Sequence, residues 1–218
     1  MKKLSVLYTF ASKLKKYPKL KKSLKDLYQY VGNTYSDRKT SPSNIECISS
    51  EDSEHLFGYY DKSPWDSENC RMLYLRVNEA SKNTASDKKA AIILKHLDNG
   101  KEEIIAYTNC WNVQQGCMLQ WLGPDYSDKI IYNDFRDGKF CSVILTISTR
   151  KEKVLSMPVY SVALDGSIAL TLDFTRLHSF RPGYGYLNLP DHSKQEKYPN
   201  TPCIWNINLD TDEITPLF

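Results

Sequence analysis

The chain contains three copies of one two-hairpin pattern, and these copies fill almost everything after residue 54. In the first half of each copy, an apolar segment, a tight acidic turn and a second apolar segment follow one another. These first halves lie at 59–77, 117–135 and 160–174. The second halves repeat the strand–turn–strand order at 91–108, 142–157 and 203–218. Each copy has four strands, and the copies recur at spacings of roughly 40 to 60 residues. This pattern predicts an all-β fold, namely a β-propeller of four-stranded antiparallel blades.

The number of copies predicts that the ring of blades is incomplete. We expect blades at about 55–108, 109–157 and 158–218, preceded at 44–49 by a strand that has no partners of its own. Closed propellers usually have four to eight blades, and a first strand often completes the last blade and hides its edge. We therefore expect either that the chain is the front part of a longer protein or that two copies form a six-bladed homodimer.

Residues 1–43 differ in composition from the predicted blades. Residues 1–40 hold eleven of the 29 Lys and Arg residues but only two of the 26 acidic residues. Within residues 2–31, apolar side chains recur at helical spacing, with Pro18 as a break between two segments. This pattern predicts a basic amphipathic α-helical arm followed by a polar linker. Such an arm can lie on an anionic membrane surface, dock on a partner or stay solvated.

Cysteine usage and hydropathy indicate the compartment. The six cysteines form no C-x-x-C pair, which favours free thiols in a reducing environment. No run of 18 apolar residues is present, and the first residues lack the small-residue cleavage site of a signal peptide. We expect a cytoplasmic protein, with peripheral contact to the inner face of the membrane as an option for residues 2–31. The acidic remainder of the chain lacks a basic groove, so we expect no nucleic-acid partner.

Two sets of connections should lie on opposite faces of the propeller. Short turns join strands 1 and 2, and strands 3 and 4, on what we call the turn face; they lie at 66–69, 98–100, 123–128, 148–151, 165–166 and 210–212. The other face, called the loop-rich face, carries the segments at 54–60, 78–89, 109–116, 136–140 and 175–202. Loops on a rigid scaffold commonly carry function. The predicted ligand-binding residues are His55, Tyr59, Tyr60, Trp111, Asn112, Gln114, Gln115, Asp134, Arg136, Arg176, His178, Arg181 and Tyr184.

This mixture of side chains suits a carbohydrate or another polyhydroxylated ligand, including an acidic one. Aromatic rings can cover the C–H faces of sugars, amides can bind hydroxyls, and arginine pairs with carboxylate or phosphate. We expect Arg136, His178 and Arg181 to line one shared cleft. In the alternative interpretation, Trp111 and the tyrosines pack between blades, and Arg176 or Arg181 bridges blades through Asp134 or Asp173.

The sequence leaves catalysis open. It contains no nucleophile elbow, P-loop, dinucleotide fingerprint or H-E-x-x-H motif. Asp61 and Asp134 follow aromatic residues at comparable blade positions, but a lone aspartate at a strand end is more typical of a structural role. A metal site built from His55 and His178 with Gln114 or Gln115 is conceivable, although no close ligand pair is present. We expect no metal ion and no cofactor.

Four segments, EHLFGYYDKSPW, NCWNVQQGCMLQWLG, IIYNDFRDGKF and RLHSFRPGYGY, resemble an uncharacterised propeller family. Members of that family are encoded among bacterial polysaccharide and capsule biosynthesis genes, beside glycosyltransferases. More distantly, the repeat resembles TolB-type propellers and oligogalacturonate-lyase-type propellers. The lyases cleave acidic oligosaccharides by β-elimination, with a metal held by His and Gln, and their ligand pattern is not matched position by position here.

The resemblance implies a binding or scaffold propeller in cell-surface polysaccharide biosynthesis. Its partner would be a glycan or a glycosyltransferase-type protein on the loop-rich face. The alternative is a carbohydrate-active enzyme, a polysaccharide lyase or a hydrolase, that acts on acidic oligosaccharides.

Overall fold

A computed structural model describes residues 53–78 and 89–218, together with Ser23 and Leu27. The chain divides into two compact units, residues 1–48 and 49–218. Ser23 and Leu27 are helical and exposed, whereas the rest of the predicted arm, its linker and the predicted strand at 44–49 lie outside the described residues. Among the described residues, no helix has the length and apolar character needed to cross a bilayer.

Three four-stranded antiparallel sheets form the second unit. Blade 1 consists of β1 (Glu54–Leu56), β2 (Arg71–Val77), β3 (Ala90–His96) and β4 (Glu102–Thr108). Blade 2 consists of β5 (Gln120–Trp121), β6 (Lys129–Arg136), β7 (Lys139–Thr146) and β8 (Lys151–Leu155). Blade 3 consists of β9 (Ser161–Val162), β10 (Ile168–Leu172), β11 (Ile204–Asn208) and β12 (Ile214–Pro216). In each blade the strands lie side by side in chain order, which confirms the predicted propeller fold.

The core of this unit lies between neighbouring blades. Ile130 and Tyr132 of β6 pack with Leu73 and Leu75 of blade 1, and all four side chains are fully buried. Ile131, on the opposite face of β6, packs with Ala169 and other buried residues of blade 3. Burial of one large apolar side chain stabilises a fold by about 1.5–3 kcal/mol. The continuous apolar run at the start of β6 therefore reflects a strand that is covered on both faces. Three blades are fewer than a closed propeller has, so the ring is incomplete within the described residues.

Two segments that the sequence assigned to loops belong to strands. Glu54, His55 and Leu56 form β1, where Glu54 pairs with Val77 at the far end of β2. The predicted loop at 136–140 is a two-residue hairpin turn between β6 and β7. Its central residues, Asp137 and Gly138, have φ values of 50° and 74°, the left-handed backbone that such turns require.

The turn between β9 and β10 lies directly against the turn between β5 and β6. Gly166 has a φ of 71°, and a Cβ added there would lie 2.3 Å from the backbone oxygen of Gly123. Gly138 has a similar φ of 74°, yet a Cβ added there would meet nothing within 4 Å. The two glycines therefore share a backbone conformation but differ in their surroundings.

This contrast gives a stability prediction. Alanine at either glycine costs about 1–2 kcal/mol for the left-handed backbone. Gly166→Ala should lower the free energy of unfolding by about 1–3 kcal/mol more than Gly138→Ala does, because only a Cβ at position 166 would collide with the backbone of the neighbouring blade. Urea unfolding of both variants measures the difference. Equal destabilisation would contradict the close contact between the two turns.

Candidate functional site

A 31-residue connection between β10 and β11 contacts β6 of blade 2 and the segment that precedes blade 2. It begins with a short helix, α1 (Phe174–Phe180), which the sequence interpretation missed. Asp173 is its N-cap, and the carboxylate accepts hydrogen bonds from the backbone N–H groups of Thr175 at 2.9 Å and Arg176 at 3.1 Å. Further along, Gly185 has a φ of 64°, and a Cβ there would lie 2.2 Å from Phe174 O. The chain thus folds back tightly over the start of α1.

Buried groups of blade 2 hold this connection in place. Tyr186 stacks on Phe174 with ring centroids 4.6 Å apart, and each side chain is only 1% exposed. The side-chain amide of Asn133, from β6, donates to the Tyr186 hydroxyl at 2.9 Å and to Val159 O at 2.8 Å. Its oxygen accepts from Val159 N at 2.7 Å. One buried asparagine therefore joins β6, the start of blade 3 and the long connection.

Three of the predicted ligand-binding residues lie behind the surface and have positioning roles. Trp111 is 3% exposed and belongs to the core between blades 1 and 2. This placement agrees with the alternative interpretation of the sequence, in which Trp111 packs between blades. Asn112 Nδ2 donates to Gly185 O at 2.8 Å, and Gln115 Oε1 accepts from Gly185 N at 3.3 Å. Asn112 and Gln115 are 5% and 0% exposed. They fix the turn at Gly185 and do not reach a ligand at the surface.

Three tyrosines and one arginine form what we call the aromatic platform: Tyr59, Tyr60, Tyr184 and Arg181. The ring of Tyr59 lies 4.1 Å from that of Tyr60 and 5.9 Å from that of Tyr184, measured between centroids. The Arg181 guanidinium lies over the Tyr184 ring at 4.4 Å. Tyr60 is 87% exposed. The platform thus joins the segment after β1 to the long connection and presents aromatic surface to solvent.

The Tyr59 hydroxyl is held in its neutral form. The hydroxyl oxygens of Tyr59 and Tyr184 are 3.5 Å apart. Hydrogen bonding to Tyr184, and then to Tyr60, raises the pKa of Tyr59 above its ordinary value. Tyr59 therefore offers an uncharged O–H group, which can both donate and accept hydrogen bonds.

Arg181 differs from the other five arginines of the described residues. The guanidinium groups of those five each contact a carboxylate or an oxygen of the protein; they are Arg71, Arg76, Arg136, Arg150 and Arg176. The Arg181 side chain is exposed, lies over the Tyr184 ring and makes no hydrogen bond or ion pair among the described residues. Its five N–H donors are therefore available to a ligand.

Two further predicted residues flank the platform. His178 Nδ1 donates to the backbone oxygen of Tyr184 at 3.0 Å and so orients the turn that carries this ring. Gln114 is exposed, and its Cγ lies 3.8 Å from the position that a Cβ on Gly183 would take. The structure thus brings together Tyr59, Tyr60, Gln114, His178, Arg181 and Tyr184.

Arg136 belongs to a separate ion-pair group. Its Nε donates to Asp134 at 2.7 Å and its Nη1 donates to Glu152 at 2.8 Å. The bond to Glu152 contributes most to raising the pKa of Arg136 above its ordinary value. Asp134 is 2% exposed and also accepts from Asn109 N at 2.8 Å. No hydrogen bond or ion pair among the described residues joins Arg136 to His178 or Arg181, and the cleft that these three residues would share stays a prediction.

Arg176 and His55 also have local roles. The Arg176 guanidinium donates to Ser193 and to the backbone oxygen of Glu196, so it ties the long connection to itself and does not bridge blades. His55 lies in β1, where its ring contacts Tyr74, and burial lowers its pKa. In the part of the chain that the structure describes, no three His, Cys, Asp or Glu side chains group as metal ligands.

A groove of about 400 Å³ includes Asp61, the residue after Tyr60 of the platform, and is lined by the segment between β1 and β2 and by the first strands of blades 2 and 3. Its lining includes Asp61, Lys62, Trp65, Gln120, Trp121 and Tyr126, with residues 161–164 on the far side. The sequence interpretation treated Asp61 as structural and missed Lys62, Trp65 and Gln120. Gln120 lies in the first strand of blade 2, whereas Lys62 and Trp65 lie between β1 and β2, where the local sequence gives no signal for a site.

Below the groove, Arg71 joins blade 1 to blade 2. Arg71 Nε donates to Asp66 at 2.8 Å, and its guanidinium lies 5.2 Å from the Trp121 ring centroid. Burial acts to raise the pKa of Asp66, but hydrogen bonds from Arg71 and from Cys70 N outweigh it and hold that pKa below 3.8. The stability that this carboxylate contributes is therefore present above that value and is lost as pH falls through the folded-state pKa.

A pH-dependent prediction follows for Asp66. Asp66→Asn should lower the free energy of unfolding at about pH 6, and the difference from the wild type should shrink as the pH falls through the lowered folded-state pKa of Asp66. Denaturant unfolding of the two proteins across this range measures the difference. A difference that does not depend on pH would mean that the ionised carboxylate makes no contribution.

Comparisons with known proteins agree with the fold. No protein-family model matches the chain, and no curated protein sequence matches it. An oligogalacturonate lyase solved in complex with manganese has a TM-score of 0.51 at 15% identity, over 78% of this chain and 42% of the lyase. A second oligogalacturonate lyase, from Vibrio parahaemolyticus, gives 0.49 at 10% identity over the same shares. TolB from Acinetobacter baumannii gives 0.44 at 14% identity, over 78% of this chain and 33% of TolB.

These comparisons support the propeller fold of the chain and do not show its function. The chain spans less than half the length of each of these solved structures. Identities of 10–15% show the fold alone. The described residues therefore form three blades of an incomplete propeller, with a fold similar to that of an oligogalacturonate lyase.

Proposed function

We propose that this chain is a glycan-binding propeller and that the ligand lies across the aromatic platform into the adjoining groove. The observation that carries this proposal is a contiguous cluster of three tyrosine rings, of which Tyr60 is exposed and Tyr59 and Tyr184 are half-buried, beside an exposed Arg181 that makes no ion pair among the described residues. Tyrosine combines an apolar ring face with a hydroxyl, which matches the alternating C–H and O–H groups of a sugar.

The rigidity of the surface supports binding. Asn112 and Gln115, both buried, hold Gly185 from below, and Asn133 holds Tyr186. Ordering a loop during association costs free energy, and a loop that is already ordered avoids this cost. The long connection therefore presents Arg181 and Tyr184 in a fixed arrangement before any ligand arrives.

The biological setting that we propose is bacterial cell-surface polysaccharide biosynthesis, where the chain would act as a binding or scaffold module. Two of the segments that carry the family resemblance contribute the platform. EHLFGYYDKSPW supplies Tyr59 and Tyr60, and RLHSFRPGYGY supplies Arg181 and Tyr184. A glycan, or a glycosyltransferase-type protein that carries one, is the partner that fits this setting.

Incubation of the purified chain with neutral and acidic oligosaccharides, with and without divalent metal, tests the proposal. We expect saturable binding and recovery of the oligosaccharide at unchanged length. New unsaturated products would identify a lyase, and shortened saturated products a hydrolase. Absence of binding to every oligosaccharide would contradict the proposed function.

A further inference from the structure

Asp61 and Lys62 form an ion pair where the groove meets the aromatic platform. Lys62 Nζ lies 3.1 Å from Asp61 Oδ2. The two side chains differ in burial, since that of Lys62 is 5% exposed and that of Asp61 is 48% exposed. Lys62 N donates to Tyr59 O at 3.1 Å, so the pair is held next to the first ring of the platform. Both residues line the groove.

Most of the hydrogen-bonding capacity of this pair is unused. An ammonium group has three donors, and an ionised carboxylate has about four acceptor positions. Among the described residues, the bond between Asp61 and Lys62 is the single side-chain hydrogen bond that either of them makes. The Lys62 side chain is mostly buried, with its Cδ packed against Gly58, but its hydrogen bond to Asp61 is exposed. The ammonium group is therefore held in place by its stem and keeps donors open to an acceptor in the groove.

The buried carboxylates elsewhere in the chain are saturated in comparison. Asp66 accepts from Cys70 N, Arg71 N and Arg71 Nε. Asp134 accepts from Asn109 N, Phe135 N and Arg136 Nε. Asp61 accepts one hydrogen bond, from Lys62. Asp66 and Asp134 therefore use their acceptor positions to hold the fold together, whereas Asp61 faces the groove with acceptor positions that no described residue uses.

We propose that Asp61 and Lys62 bind a vicinal diol of a sugar ring. One hydroxyl would donate to Asp61, and its neighbour would accept from Lys62, so that adjacent hydroxyls meet an adjacent acceptor and donor. The pair carries no net charge, so it suits an uncharged part of the glycan and leaves Arg181 as the unpaired cation. This inference rests on the proposed function and adds a chemical class of ligand, a sugar with two free adjacent hydroxyl groups.

A double-mutant cycle between protein and ligand tests this inference. Kd is measured for two oligosaccharides that differ in one respect, namely that both adjacent hydroxyls are replaced by hydrogen in the second. Wild-type protein should bind the free diol at least about tenfold more tightly, because deoxygenation removes both the hydroxyl that donates to Asp61 and the one that accepts from Lys62. Lys62→Met and Asp61→Asn should each reduce this preference to about threefold or less, because each variant loses one of the two hydrogen bonds. Lys101→Met, in an exposed turn, is the matched control and should keep the preference.

The outcomes separate this inference from the proposed function. Equal binding of the two oligosaccharides by the wild-type protein would overturn the diol inference and leave the glycan-binding proposal intact. Preference retained in Lys62→Met and Asp61→Asn would also overturn it. Absence of any binding by the wild-type protein would overturn both. The wild-type comparison needs no variant, so it decides the question even if Lys62→Met fails to fold.

Discussion

Replacement of Tyr184 by alanine should weaken glycan binding about thirtyfold, because an aromatic residue at the centre of a binding surface typically contributes about 2 kcal/mol. The Tyr184 ring contacts Tyr59, at 5.9 Å between centroids, and supports the Arg181 guanidinium at 4.4 Å. Loss of this ring removes a surface on which a sugar can stack, and it also removes the support of the Arg181 guanidinium. Isothermal titration calorimetry with an oligosaccharide that binds the wild-type protein measures the change in Kd.

Tyr198 offers a matched control for this experiment. It is 81% exposed, close to the 87% of Tyr60, and it also carries a cation over its ring, from Lys197 at 5.3 Å. It makes no contact with the platform among the described residues. Tyr198→Ala should therefore leave Kd unchanged. Equal loss of affinity in Tyr184→Ala and Tyr198→Ala would mean that general surface aromaticity, not the platform, determines binding.

Asn133→Ala should lower the free energy of unfolding by about 3–4 kcal/mol, because it leaves several buried groups without partners. The Asn133 side chain is fully buried and bonds Val159 N, Val159 O and the Tyr186 hydroxyl. Truncation leaves these three groups unpaired in a site that water does not reach. Urea unfolding monitored by tryptophan fluorescence measures the loss.

Asn200→Ala is the corresponding control, since Asn200 is exposed in the same long connection. It should change the free energy of unfolding by less than about 0.5 kcal/mol. A comparable effect of the two substitutions would contradict the role of Asn133 as the link between blade 2, blade 3 and the connection. Because that link lies under Tyr186, Asn133→Ala should also weaken glycan binding.

Local sequence patterns were sufficient to predict the blades. The apolar run at the start of β6 indicates a strand covered on both sides, and Ile130 and Ile131 indeed pack against different blades. Turns such as Asp165–Gly166 require a left-handed backbone that glycine adopts without strain. Patterns of this kind depend on neighbouring residues, so the sequence displays them directly.

Contacts between distant residues could not be predicted in the same way. β1 has three residues and is defined by pairing with residues 75–77, at the far end of β2, so its local sequence carries little signal. Asn112 and Gln115 resemble surface amides in the sequence, yet both turn inward to Gly185, about 70 positions later. Lys62 looks like an ordinary surface lysine until the fold buries its stem. Which polar side chains face a ligand is thus decided by tertiary packing.

Hydrogen–deuterium exchange with and without a bound oligosaccharide tests the central claim most directly. The loop-rich face should carry the ligand, so amide exchange should slow at residues 58–62 and 176–186. Exchange in the turns at 147–150 and 209–212, on the turn face, should stay unchanged. Slower exchange confined to those turns, with none at the platform, would contradict the proposed site.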